Sequence, residues 1–264
     1  MTAFDAVRAA WFAEILKVRR SRVPAMTALA TAAPAAIAAL FMLIAADPDR
    51  AHRLGLLGAK SSLTGVTADW PGLLSFLAQV VAVGDLLLLA FIATWVFGRE
   101  AQDGTLRYLL ALPVSRWAVV TAKLAVVTLW SIALHLWLAG LFCLVGVALT
   151  LPGGTTGMLV DGLGTAGLAL ALMLAVVPGP VAAVASAGRG YLPPLAAALG
   201  ALAVSQVAAA LGFAVAVPWS VPAVAAGLAP GVALGPGAVL LAAATAAAGV
   251  AATVTWWRSG RAGA

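Results

Sequence analysis

Charge is what this chain has least of: Asp, Glu, Lys and Arg make up 9% of its 264 residues, against about a quarter in an ordinary soluble domain. Cysteine is nearly absent. Cys143 stands alone, so the chain forms no internal disulfide and no thiolate metal site, and inside an apolar run it reads as a small core residue. Histidine occurs twice, and His135 has no second His, Cys or carboxylate three or four residues away, which leaves it a satisfied packing residue rather than a metal ligand. No Gly-x-x-x-x-Gly-Lys-Ser/Thr occurs, which excludes a phosphate-binding loop and an ATPase activity of the chain's own. No His-Glu-x-x-His occurs either, nor a cluster of acids, His and Cys that would suggest hydrolysis.

What fills the chain instead is apolar: 64% of its residues are hydrophobic. Six runs approach or exceed the roughly 20 residues a helix needs to cross a hydrocarbon core, at 23–46, 73–97, 117–149, 159–187, 192–217 and 236–257. They are continuous rather than alternating, which argues against a membrane β-barrel. The expectation is an all-α membrane protein: residues 1–22 an interfacial helix, 23–257 a six-span domain, and 258–264 a tail.

The net charge of +6 would suit a nucleic-acid binder, but in a membrane protein charge is read by position. Six spans put both termini on one side. With that side inside, Arg8, Lys17, Arg19, Arg20, Arg22, Arg99, Arg107, Arg116, Lys123, Arg189, Arg258 and Arg261 are internal, and only Arg50, Arg53 and Lys60 are external. Twelve against three satisfies the positive-inside rule. Orientation and lipid headgroups account for the basic balance, so no nucleic-acid partner is needed.

In chain order, Phe4, Val7, Trp11, Ile15 and Val18 recur at helical spacing before the basic run 17–22, as in a helix lying in the inner interface, with Arg8 snorkelling from its apolar stripe. A cleaved signal peptide is the alternative, but the apolar run that follows exceeds an h-region of about 7–15 residues. Trp70 and the pair Trp256–Trp257 read as interfacial anchors. Asp85 lies about halfway along the second run, where a carboxylate is expensive unless it faces protein or water. It reads either as a group on a substrate path, engaging a cation, or as a hydrogen-bonded or neutralised acid within the bundle; the lack of a further mid-span charge for a relay weighs toward the second. Pro178-Gly-Pro180 should kink or unwind the fourth run and makes a candidate hinge. The segment 217–236 is apolar but broken by proline and glycine, as a re-entrant or interfacial helix pair would be, or a greasy surface loop.

The most polar stretch joins the second and third runs, at 98–123. Arg99, Glu100, Asp103, Arg107, Arg116 and Lys123 lie in it. Thr105 can cap a short helix, Leu106, Leu109 and Leu110 share one face of it, and Arg107 points elsewhere. Pro113 forces Leu112 out of helical geometry after about two turns, and Ser115 can cap the next run.

Glu100, Gly104-Thr105, Leu109-Leu110, Pro113-Val-Ser-Arg116 and Lys123 resemble the cytoplasmic signature of ATP-binding-cassette permeases of the type-two exporter class, most of all the bacitracin- and lantibiotic-type subgroup. Val217-Pro-Trp-Ser-Val-Pro222 is similar to the Pro-Trp-x-x-Pro of that subgroup. The resemblance implies that 98–116 is a coupling segment docking into an ATPase subunit through Glu100, Asp103, Gly104, Thr105, Arg107, Leu109, Leu110, Pro113, Ser115 and Arg116. It implies an outer gate at Pro218, Trp219 and Pro222; Asp85, from its mid-span position, is the candidate for the translocation path. It further implies that the chain binds no cofactor itself, with ATP-Mg on a separate nucleotide-binding subunit, that two permease chains pair in the bilayer of a bacterial cytoplasmic membrane, and that the cargo is amphipathic: peptide antibiotics, drugs or lipids. A secondary transporter or channel using Asp85 without an ATPase is the alternative from another class.

Overall fold

The computed structural model describes residues 3–55, 67–112, 114–188, 190–229 and 231–259. Among these residues there is no strand, and six helical spans are long and apolar enough to cross a membrane. Lys60, Pro113, Arg189 and Arg261 lie outside the described residues, as does the tail beyond Ser259. The order is α1 (Ala3–Arg19), α2 (Val23–Ala46), α3 (Pro48–Arg53), α4 (Trp70–Gln79), a π-helical turn (Val80–Gly84), α5 (Asp85–Gln102), α6 (Leu106–Ala111), α7 (Arg116–Ala148), α8 (Thr156–Val176), α9 (Pro178–Gly188), α10 (Leu192–Ala210), α11 (Val221–Ala225) and α12 (Pro236–Arg258).

The second span is α4, the π turn and α5 read as one helix, and it starts earlier than hydropathy alone suggests because its first residues carry their own start signal. The Asp69 carboxylate accepts from the Gly72 amide at 2.8 Å, and Pro71 sits in the first turn, where its missing N–H costs nothing. Trp70, expected as an interfacial anchor, is a core residue at 8% exposure. Its indole lies flat against Gly146 and Gly154, where a Cβ would come within 2.5 and 2.6 Å of the ring, and its amide donates to the Pro152 carbonyl at 3.0 Å. Trp257 is likewise buried, at 1%, and its indole donates to the Ser186 hydroxyl at 3.1 Å. Its expected interfacial role therefore falls away.

The fourth span breaks where its prolines require it. Val177 leaves regular geometry at φ −104°, and Pro178 and Pro180 bring no amide to bond the carbonyls four residues earlier. Val176 is one of these, and its oxygen accepts the Trp219 indole N–H at 3.1 Å. The Gly179 oxygen accepts the Thr253 hydroxyl at 3.1 Å. Around this break α9 and α12 meet backbone to backbone: a Cβ on Gly249 would lie 2.4 Å from the Pro180 ring.

The fifth span is shorter than the expected 192–217. Gly212, at φ +80°, ends it after Ala210, with the Phe213 amide reaching back to Ala208 and the Gly212 amide to Ala209 at 2.7 and 3.2 Å. That pattern is a glycine-centred helix stop. The chain then turns through Ala214–Ala216 and Pro218–Ser220 into α11. In place of the expected helix pair stands one short α-helix preceded by two 3-10 turns. Val221 and Val224 are buried, and α11 packs against α8 and the π turn, so the segment enters the bundle instead of lying over it.

Two apolar cores result. One, built on α5, α7, α9 and α12, faces the end that carries α1 and α6. The other, built on α2, α4, α7 and α8, faces the opposite end. Cys143 is half-buried at the margin of the second. Gly249→Ala should overpack the α9–α12 contact, at a typical cost of about 1–3 kcal/mol, and lower the thermal unfolding midpoint of the detergent-purified protein. Gly164→Ala, where nothing lies within 4 Å, should leave the midpoint unchanged or raise it.

Candidate functional site

The end of the second span shapes the site. Gly104, at φ +69°, closes α5: the Thr105 amide bonds the Glu100 carbonyl at 2.8 Å and the Gly104 amide bonds Ala101 at 3.3 Å. Only a residue free to take positive φ makes this stop cheaply. Thr105 does not cap α6 with its side chain, contrary to expectation. Its own backbone is already helical there, so its hydroxyl turns back to donate to the Glu100 carbonyl at 3.4 Å. Leu106, Leu109 and Leu110 lay α6 against the first core, and Leu112 leaves helical geometry at ψ 144°. The Ser115 hydroxyl accepts from the Ala118 amide at 3.2 Å and starts α7.

Glu100, expected to face a docking partner, is turned into the protein at 4% exposure. It lies in the last turns of α5 on the face that looks at α1 and α7. One of its oxygens accepts from Lys17 Nζ at 2.7 Å and from Lys123 Nζ at 2.8 Å. Glu14 closes the group, bonding Lys17 at 2.7 Å and Lys123 at 3.3 Å. Lys123 is fully buried, and its third proton goes to the Val96 carbonyl at 2.6 Å. Two ammonium groups and two carboxylates thus balance, with Glu14, Glu100 and Lys123 buried and Lys17 at the half-buried edge. Burial opposes the charge on Lys17, yet the Glu100 and Glu14 carboxylates outweigh it and hold its pKa above the usual lysine value.

Glu14 is the member that sequence reasoning missed. The expected apolar stripe of α1 does reach the core through Trp11, Ile15 and Val18, but Phe4 is exposed and the buried line runs Ala6, Ala10, Glu14. Small residues at i, i+4 mark close helix packing, and a carboxylate continuing that line was the available signal.

Arg116, also expected at a docking surface, donates from Nη1 to the Trp257 carbonyl at 2.9 Å. It satisfies an open carbonyl at the end of α12 and suits the negative end of that helix. What faces outward is a smaller set. Asp103 is exposed and pairs with Arg99 at 3.2 Å. Arg107 is exposed and bonds the Tyr108 hydroxyl at 3.0 Å. Tyr108 and Leu112 are 62% and 54% exposed. Arg99, Asp103, Thr105, Tyr108, Leu109 and Leu112 border a groove of about 390 Å³ over the ion cluster, with Arg107 outside it.

A second polar site lies mid-span. Asp85, the first residue after the π turn, is buried at 2%, and its carboxylate is in hydrogen-bond contact with Nε2 of His135. Nδ1 of the same ring faces the Ser131 carbonyl at 2.6 Å. His135 is thus no isolated packing residue but the partner of the one acid in the middle of the bundle's described spans.

At the far end of the fifth span, Pro218 opens the second 3-10 turn, Trp219 makes the bond to Val176 given above, and Pro222 is buried in the first turn of α11. The Ser220 hydroxyl, 2% exposed, donates to the Ala214 carbonyl at 2.7 Å and locks the turn.

Removing one partner of a buried ion group leaves the other unmatched, a cost of about 3–5 kcal/mol. Lys123→Met and Glu100→Gln should each destabilise the folded protein strongly, and the double variant by clearly less than the sum; a double-mutant cycle of denaturant unfolding in detergent reads this.

A family model described as "ABC-2 family transporter protein" matches residues 12–204. No curated protein and no solved structure matches the chain.

Proposed function

The chain belongs to the ABC-2 family of transporter proteins, a permease subunit of an ABC transporter, and on that premise we propose that it serves an ATP-driven exporter whose ATPase is a separate chain. The observation that carries this reading is the outward set Asp103, Arg107, Tyr108 and Leu112 beside its groove, on and around a short helix that follows directly on the end of α5, which the cluster of Glu14, Lys17, Glu100 and Lys123 fastens to α1 and α7. The partner docks on that face and holds the ATP-Mg. Closure of the ATPase dimer drives α6, and because α6 is leashed to the end of α5 by the Gly104 stop, and α5 is tied to α1 and α7 through the ion cluster, the push reaches the second and third spans together. Gly104, Thr105, Leu109, Leu110, Pro113 and Ser115 then set the angle of α6; Glu100 and Arg116 act from within, as fasteners rather than contacts.

The distribution of basic residues supports placing both termini on the cytoplasmic side of a bacterial cytoplasmic membrane. On that orientation α1 lies in the inner interface, with Phe4, Phe12 and Arg8 facing lipid, all three being exposed. The segment through Pro218, Trp219 and Pro222 forms the outer gate, and opening it exchanges the Trp219–Val176 bond. Two such chains make the pathway, Asp85 lies along it, and the cargo is amphipathic, as for the bacitracin- and lantibiotic-type permeases.

A secondary transporter is the second reading, and the Asp85–His135 contact favours it to the extent that a mid-membrane acid and base can carry protons. Tagged protein purified from its native membrane should bring an ATPase with vanadate-sensitive hydrolysis. Arg107→Glu combined with Tyr108→Ala should cut cargo-stimulated hydrolysis by about tenfold or more, the loss of one strong interface contact, with the six-span bundle still folded. No ATPase on intact protein overturns the exporter reading in favour of the secondary transporter.

A further inference from the structure

The turn from α1 into α2 gathers positive charge. Arg19 ends α1, Arg20 follows it, and Arg22 stands at the head of α2; all three are exposed. Among the described residues none of their guanidinium groups has a hydrogen-bond or ion-pair partner. The acids that could answer them are absent or engaged. α2 and α7, the helices packed against α1, contain no Asp or Glu. Glu14 is held by Lys17 and Lys123, and Asp5 lies at the opposite end of α1. The positive end of the α2 dipole points to the same corner, and its first turn holds no acid.

Apolar side chains surround this charge. On α1, Phe4, Arg8, Phe12 and Leu16 follow one another at four-residue spacing on the side away from Ala6, Ala10 and Glu14, and all four are exposed. Met26 and Leu29, in the first two turns of α2, are 66% and 76% exposed. Aromatic and aliphatic side chains interleaved with arginines suit neither bulk water nor pure hydrocarbon; they fit the boundary between acyl chains and phosphate groups. They also decide between the anions that could meet this corner. A free phosphate or an acidic protein loop matches the arginines and leaves Phe12, Leu16 and Met26 uncovered, whereas a phospholipid matches the charge and covers the apolar surface.

We infer that the α1–α2 corner is a binding site for anionic phospholipid, with phosphate groups on Arg19, Arg20 and Arg22 and acyl chains along Phe12, Leu16 and Met26. The inference rests on the permease reading for the leaflet: with the termini inside, the lipid is drawn from the inner one. α1 supplies Glu14 and Lys17, half of the ion cluster, so a lipid that holds this corner holds the helix that closes the cluster. Anionic lipid therefore stabilises the charged end of the bundle. A zwitterionic lipid does so less, because its own ammonium offsets its phosphate.

Phosphatidylglycerol titrated into the detergent-purified full chain tests this, against phosphatidylcholine with the same acyl chains. Native mass spectrometry should show phosphatidylglycerol retained in preference, and it should raise the thermal unfolding midpoint above the value in phosphatidylcholine. Arg19→Gln, Arg20→Gln and Arg22→Gln together should weaken phosphatidylglycerol binding on the order of a hundredfold, roughly fivefold per side chain, and remove both the preference and the added stability. Arg50→Gln, Arg53→Gln and Arg258→Gln together take the same charge from exposed positions elsewhere and should leave both in place. Glycerol 3-phosphate, the headgroup without its chains, should not raise the midpoint. Equal retention of the two lipids, an equal loss in the second triple variant, or stabilisation by glycerol 3-phosphate as large as by the lipid overturns the inference. The three single variants, each roughly fivefold weaker, decide it if the first triple variant fails to fold. No ATPase is present in these measurements, so loss of the exporter reading and loss of the lipid site are read apart.

Discussion

Lys123 has no access to water, and much of the charged end of this protein follows from that. An ammonium in an apolar bundle must find acceptors for three protons and an opposite charge, or lose its charge altogether. Its own helix supplies neither. The Val96 carbonyl and Glu100 come from α5, and Glu14 from α1. Two carboxylates around one lysine are one charge too many, and Lys17 restores the balance from the edge of the group. Three helices distant in sequence are thereby fixed in register at one point. The hydrophobic contacts around them are larger in sum but indifferent to small slides; the ion group is not.

The same requirement, that no polar group stay open inside the membrane, shapes the rest. At three departures from regular helix a side chain from elsewhere answers. The carbonyl freed by Pro180 receives the Trp219 indole, Gly179 receives Thr253, and the end of α12 receives Arg116. These bonds join segments that a plain helical bundle would leave to apolar contact alone. They also identify the places at which a conformational change has a partner to exchange, with the Trp219–Val176 bond joining the far-end segment to the proline break of the fourth span.

The six spans were legible because hydropathy over some twenty residues is a strong and local signal, and the short helix between the second and third spans was legible from Gly104, Leu112 and Ser115, whose conformations are local too. What lay hidden was long-range. Glu14 looks like one more charge on an amphipathic helix until Lys123 is placed next to it, and 109 residues separate them. Fifty residues separate Asp85 from His135, so each appears alone in the sequence. Trp70 and Trp257 sit at span ends, as anchors do, yet are buried because Gly146, Gly154 and Ser186 make room or offer an acceptor. The early end of the fifth span was signalled by Gly212, which the surrounding apolar run concealed.

The buried ion group makes α1 and the facing ends of α5 and α7 one unit, and α6 moves with it because the Gly104 stop and Leu106, Leu109 and Leu110 hold it to α5 and the first core. Pulsed electron resonance between spin labels at Phe12→Cys on α1 and Ala111→Cys on α6, both exposed positions, tests this most directly, with Cys143→Ala removing the native thiol. The distance should be the same in the nucleotide-free complex and in the complex trapped with ATP and vanadate, while a label pair from Ala111→Cys to Leu211→Cys at the end of α10 changes. A distance between α1 and α6 that shifts with nucleotide, to the same extent as the second pair, would contradict the account.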